Sequence, residues 1–164
     1  MFLFIEKIME IAKPGGTISM MNESSVADYI TKTFSGVETA ENFGYTFFFY
    51  GSDHTLPFAT IASSDNDNDR MSNLDRPGVF RLNIGVSRPT FQSLFGIAKV
   101  DSSSYDFTVL DVIMPHPHYA QQNFVCVLSP SEATFERIRE MLAEAYNIAV
   151  RRYNRRNKKT QSNG

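Results

Sequence analysis

Three guanidinium groups and an amide, from Arg76, Arg81, Asn83 and Arg88, fall within thirteen residues around one short apolar run. Such groups grip carboxylates and phosphates through charge-assisted hydrogen bonds. Along Val79 to Val86 the apolar period is two, so Phe80, Leu82, Ile84 and Val86 share one face and Val79, Arg81, Asn83 and Gly85 the other. The pattern predicts a half-buried strand with Arg81 and Asn83 on its outer side. A loop closing there would complete a site for a small anionic ligand, and Arg81→Met would then abolish binding with little loss of stability. The competing use is pairing with Asp75 and surface glutamates, the commoner fate of exposed charges.

His116 and His118 alternate with Pro115 and Pro117. On an extended segment residues two apart point the same way, a spacing that metal sites use. Catalytic zinc normally takes three protein ligands, and a third would have to come from His54, Asp111 or Cys126, which no spacing requires. No metal or cofactor is therefore assigned, and the pair reads as a proline-stiffened surface turn. Asp65-Asn66-Asp67-Asn68-Asp69 opens like a calcium loop, but Arg70 stands where glycine is needed and Arg76 where a bidentate glutamate belongs. A solvated acidic loop, able to act as a lid, is the better reading. No Gly-rich phosphate loop, nucleophile elbow or Cys-His pair is present, so catalytic residues stay unassigned.

The elements that must position these groups are plain in the pattern. Asn22 or Ser24 caps a helix striped by Val26, Ile30 and Phe34 and ended by Gly36. Tyr45–Tyr50 and Leu56–Ala62 read as a hairpin, and Pro89 to Gly96 as a short helix. Phe124–Leu128 is a buried strand. Ser129-Pro130-Ser131-Glu132 then reads as a capping box opening a long helix striped by Phe135, Ile138, Leu142, Ala145 and Ala149.

At 164 residues and 42% hydrophobic content one core is expected. Residues 1–21, broken by Pro14-Gly15-Gly16, read as an N-terminal extension with the natural start at Met20 or Met21. Residues 22–153 form the domain, and 154–164 a disordered basic tail. Residues 151–164 hold six of the sixteen Lys and Arg and none of the eighteen acids, so residues 1–150 carry a formal charge of −8. A body that acidic is a poor grip for phosphate backbones, and a nucleic-acid partner is disfavoured. Lone Cys126 among apolar neighbours and the lack of a membrane-length apolar run point to a cytoplasmic protein without a membrane partner.

The run LDRPGVFRLNIGV, the helix TFQSLFG and MPHPHYAQQNFVCVLSPSEATFERIREMLAEAY together resemble an uncharacterised bacterial family, a small domain of unknown function, from about Asn22 to Arg152. The family implies no activity. A more distant likeness to YjbR-like domains lies in the order hairpin, strand, helix, strand and final helix. It implies an α+β sandwich and a nucleic-acid role against which the acidic body argues. The expected fold is α+β, a two-layer sandwich of a mainly antiparallel sheet of about four to six strands with the first and last helices packed on it. The expected function is a small binding or interaction domain taking a small anionic ligand or a protein. The rivals are a small enzyme, metal-assisted through His116 and His118, and a nucleic-acid module.

Overall fold

A computed structural model describes residues 18–163. Six strands, β1 (Val37–Asn42), β2 (Tyr45–Tyr50), β3 (Ala59–Ala62), β4 (Arg81–Gly85), β5 (Met114–Pro115) and β6 (Phe124–Leu128), pair antiparallel in the order β1-β2-β3-β4-β6-β5. Three helices, α1 (Glu23–Thr33), α2 (Arg88–Phe95) and α3 (Glu132–Ser162), complete an α+β fold.

Asn22 caps α1, its side chain accepting from the Ser25 N–H at 2.8 Å, and Val26 and Ile30, one turn apart, are fully buried. The α3 stripe of Phe135, Ile138, Leu142, Ala145 and Ala149 packs beside them on Phe48, Ile61, Leu82, Ile84, Val125 and Val127. Each large side chain buried there contributes roughly 1.5–3 kcal/mol. The cap of α3 is Ser131 rather than Ser129: Ser131 Oγ accepts from the Thr134 N–H at 3.2 Å, while the Ser129 N–H continues the β-pairing by donating to Phe80. Met21 donates to the Pro130 carbonyl at 2.9 Å, tying the chain before α1 to the start of α3. The expected extension lies outside the described residues up to residue 17.

β1 was not expected. It is an edge strand joined to β2 by the two-residue turn Phe43-Gly44, both at positive φ (50° and 78°), the geometry that tight hairpins favour. The expected disordered tail is also corrected, since α3 runs to Ser162.

The larger correction concerns the far side of the sheet. Register sets Ile61, Leu82 and Val127 in one cross-strand row facing the helices and Ala62, Arg81 and Leu128 in the next, facing away. The alternation along β4 therefore holds, but the second face is not in water. Leu74 and Phe107, carried by the long connections after β3 and α2, join Met114 of β5 in a second apolar cluster with Ala62, Cys126 and Leu128. Arg81 is 0% exposed and Asn83 1%.

Candidate functional site

A guanidinium with no contact to water needs a counter-charge and a full set of acceptors. Asp69, at the end of the acidic loop, supplies the charge: Arg81 Nη2 bonds Asp69 Oδ2, and Nη1 reaches Oδ1 at 3.3 Å. Nη1 also donates to Ser72 Oγ (2.9 Å) and Nε to Asn83 Oδ1 (2.9 Å), while Asn83 Nδ2 donates to Thr60 Oγ1 (3.0 Å). Tyr45 donates its hydroxyl to Asp69 at 2.6 Å. Among the described residues no buried side-chain polar atom lacks a partner.

The charges respond accordingly. Burial alone would raise the Asp69 carboxyl, but the bonds from Arg81 and Tyr45 outweigh it and hold it well below the usual carboxylate range. Burial, reinforced by the bond to Asp69, pushes the Tyr45 phenol up to about 12. Asp65 is also committed to the protein, accepting from the Leu74 N–H at 2.9 Å, while the tip of the loop at Asp67, Asn68 and Arg70 is exposed, with Asp67 pairing only with Arg70. The loop is therefore solvated at its tip, as expected, and tied to the sheet through Asp65 and Asp69.

Arg76 is a staple as well. Its guanidinium donates to the carbonyls of Asn73 (2.8 Å), Ser72 (3.1 Å) and Thr108 (2.9 Å), pinning the two connections together. The histidines part company. His116 is 3% exposed, and its Nδ1 accepts from the backbone N–H groups of His118 and Tyr119, both at 3.0 Å. Burial, helped by the nearby Arg81 charge, lowers it to about 3 and keeps it neutral. His118 is exposed, and its Nε2 lies 3.4 Å from Asp69 Oδ1, where the buried network reaches the surface. Among the described residues no group of three His, Cys, Asp or Glu could hold a metal.

His118 opens onto a cleft of about 360 Å³ between α2 with the loop that follows it and the segment Pro117–Asn123. Ser87 starts α2, its Oγ accepting from the Thr90 N–H at 3.2 Å, and its own N–H donates to Glu144 on α3 at 2.6 Å. Arg88 in the first turn, Phe91 and Gln92 thereby line one wall. The opposite wall is anchored where Val86 donates to the Asn123 carbonyl at 3.1 Å. Gly85 lies under the Phe124 ring there, where an added Cβ would sit 3.0 Å from two ring carbons.

The cationic side chains lining the cleft are Arg88 and Lys99, beside the imidazole of His118, with no acid among the lining residues. Neither Arg88 nor Lys99 enters an ion pair among the described residues. Of the four anion-binding candidates, then, the structure brings Arg88 to the cleft and uses Arg76, Arg81 and Asn83 inside the fold. Sequence reasoning missed Lys99 and Gln121, which sit in segments without periodicity, and Gln92, which lies on the short helix that was expected; only tertiary structure gathers them.

These features define an α+β sheet domain whose second face is covered by loops over β3, β4 and β6, with a cleft at the corner beside His118. The chain belongs to a family of unknown function, DUF6194, which it matches over residues 21–158. No curated protein matches it. A crystal structure of a protein from Pseudomonas syringae is similar in fold, with a TM-score of 0.53 and 16% identity, covering 79% of this chain and 99% of that one. No described helix is long and apolar enough to cross a membrane.

Proposed function

We propose that the protein binds a small anionic ligand, bearing a carboxylate or phosphate, in the cleft between α2 and Pro117–Asn123. The observation that carries this is the sign of the walls: Arg88 and Lys99, neither of them in an ion pair among the described residues, converge on a cleft with no acid among its lining residues, in a body whose first 150 residues carry −8. Cations left unpaired beside so many carboxylates are available to an anion from solution. The volume of about 360 Å³ lies within the range of small-molecule sites. A bacterial, cytoplasmic setting and kinship with YjbR-like domains belong to the same proposal, supported by buried Cys126 and by the shared order of elements.

Titration with phosphate and with citrate, followed by amide NMR, tests the reading. Shifts should centre on Arg88, Lys99 and His118, and Arg88→Ala or Lys99→Ala should each weaken binding about tenfold, the equivalent of about 1.4 kcal/mol. Shifts spread over the surface, or none at millimolar concentration, would remove the proposal. A second reading, a small enzyme, is favoured by one contact: Asp69 beside His118 Nε2 is the arrangement that orients an imidazole for proton transfer. The metal-assisted form of that enzyme would have to use His116 through Nε2, because its Nδ1 already accepts two backbone bonds.

A further inference from the structure

Beyond Tyr153, whose ring packs edge-on against Tyr50 at 5.3 Å, α3 continues for two more turns with every side chain exposed. No apolar residue follows Tyr153 in the helix, so packing does not account for these turns. Their charges are sorted. Arg156 pairs with Asp53, and Arg152 lies partly buried beside it. At 100° per residue, Arg151, Arg155, Lys158 and Lys159 fall on one adjacent stripe, with Asn154, Asn157 and Gln161 elsewhere around the helix. Among the described residues none of the four stripe cations enters an ion pair. Arg151 with Arg155, and Arg155 with Lys158 and Lys159, stand at spacings where like charges repel and loosen an isolated helix.

We propose that this stripe docks on the phosphate backbone of nucleic acid, a surface separate from the anion cleft and independent of it. Residues 151 to 159 span about 12 Å of helix axis, and one strand of a duplex presents about one phosphate per 3.4 Å of its axis, so four cations meet about four phosphates. Neutralising them removes the repulsion that the bare helix carries. A membrane fits less well, because an interfacial helix needs an apolar face and this segment has none. The acidic body, which made nucleic acid an unfavourable partner on composition alone, restricts contact to this one helix. Arg151 also reaches electrostatically to Glu144, which holds the Ser87 N–H at the start of α2. The stripe thus begins near the corner of the fold that carries Arg88.

The test uses the full chain with a labelled 20-base-pair duplex and a single-stranded 20-mer, titrated from 50 to 200 mM salt. For the duplex, log K should fall against log salt with a slope of about −3.6 and for the single strand of about −2.8, from four phosphate contacts. Over that range duplex affinity then drops about 150-fold. Arg151→Gln/Arg155→Gln/Lys158→Gln/Lys159→Gln keeps good helix formers, as far-UV circular dichroism will verify, and should bring the slope near zero. Lys32→Gln/Arg70→Gln, two exposed cations on the body, should leave affinity and slope unchanged. No binding at 50 mM salt, a slope that survives the fourfold variant, or binding to phosphatidylglycerol vesicles in preference to either nucleic acid would each overturn the proposal.

Discussion

Replacing Arg81 with Met separates the two roles open to this side chain. A solvent-facing ligand residue can be lost at almost no cost in stability. The arginine found here is 0% exposed and bonded to Asp69, Ser72 and Asn83. Met fills much of the same volume, so the cavity contribution is small and the electrostatic one stands out. What remains is a carboxylate with its side chain 8% exposed and its counter-charge gone. Removing one partner of a buried pair costs about 3–5 kcal/mol. Against a total of about 5–15 kcal/mol that is about a fifth or more of the stability. For a chain of this size it lowers Tm by about 10–15 °C. Urea unfolding at neutral pH should show a lower midpoint at unchanged slope. Asp69→Asn should cost a similar amount, and Arg81→Met/Asp69→Asn much less than the two together, with a coupling of about 2–3 kcal/mol. Single variants within about 1 kcal/mol of the parent, with additive effects, would refute the reasoning and return Arg81 to the surface.

Two further predictions follow from the same geometry. His116 titrates at about 3 in the folded protein against 6.5 when exposed; below 6.5 the unfolded chain takes up a proton that the folded chain refuses, so stability falls as pH drops from about 6.5 towards 3. Asp69 adds a second loss below about 4, where an unfolded carboxylate protonates first. His116→Asn, which keeps an acceptor for the two backbone N–H groups, should remove the first limb and leave the second; urea midpoints measured from pH 7 down to about 2.5 decide it. Gly85→Ala sets a methyl 3.0 Å from the Phe124 ring and should cost about 1–3 kcal/mol, with NMR shifts at Asn123 and Val86. An unchanged thermal midpoint would mean that the ring yields freely.

Local chemistry made most of the helix-side architecture legible. Capping at Asn22, the proline-led start of α2, the glycine that ends it and the stripe of α3 are each written within one or two turns of chain, and each lies where the pattern puts it. The period of two along β4 also assigned every side chain to its proper face. What it could not say is what covers a face. Alternation of apolar and polar residues is identical whether the polar row meets water or meets a loop that brings its own counter-charge, and Asp69 is twelve residues from Arg81 with no periodicity linking them. β1 escaped for a related reason: Glu38, Thr39, Glu41 and Asn42 are the composition of an exposed edge strand, which offers no apolar alternation to read.

The covering loops have a consequence for function that neither face alone would suggest. A sheet buried on one side by helices and on the other by loops leaves few corners where a ligand can reach groups held by the interior. One such corner lies where His118 stands between Asp69 and the cleft. The buried Arg81–Asp69 pair is then more than a stabilising contact, because it fixes the carboxylate against which the imidazole rests. Losing Arg81 should therefore disturb the cleft at a distance, through Asp69 and His118, even though the guanidinium never touches the ligand. Arg81, which on sequence grounds looked like an anion's direct partner, stands in this fold two contacts behind the cleft, through Asp69 and His118.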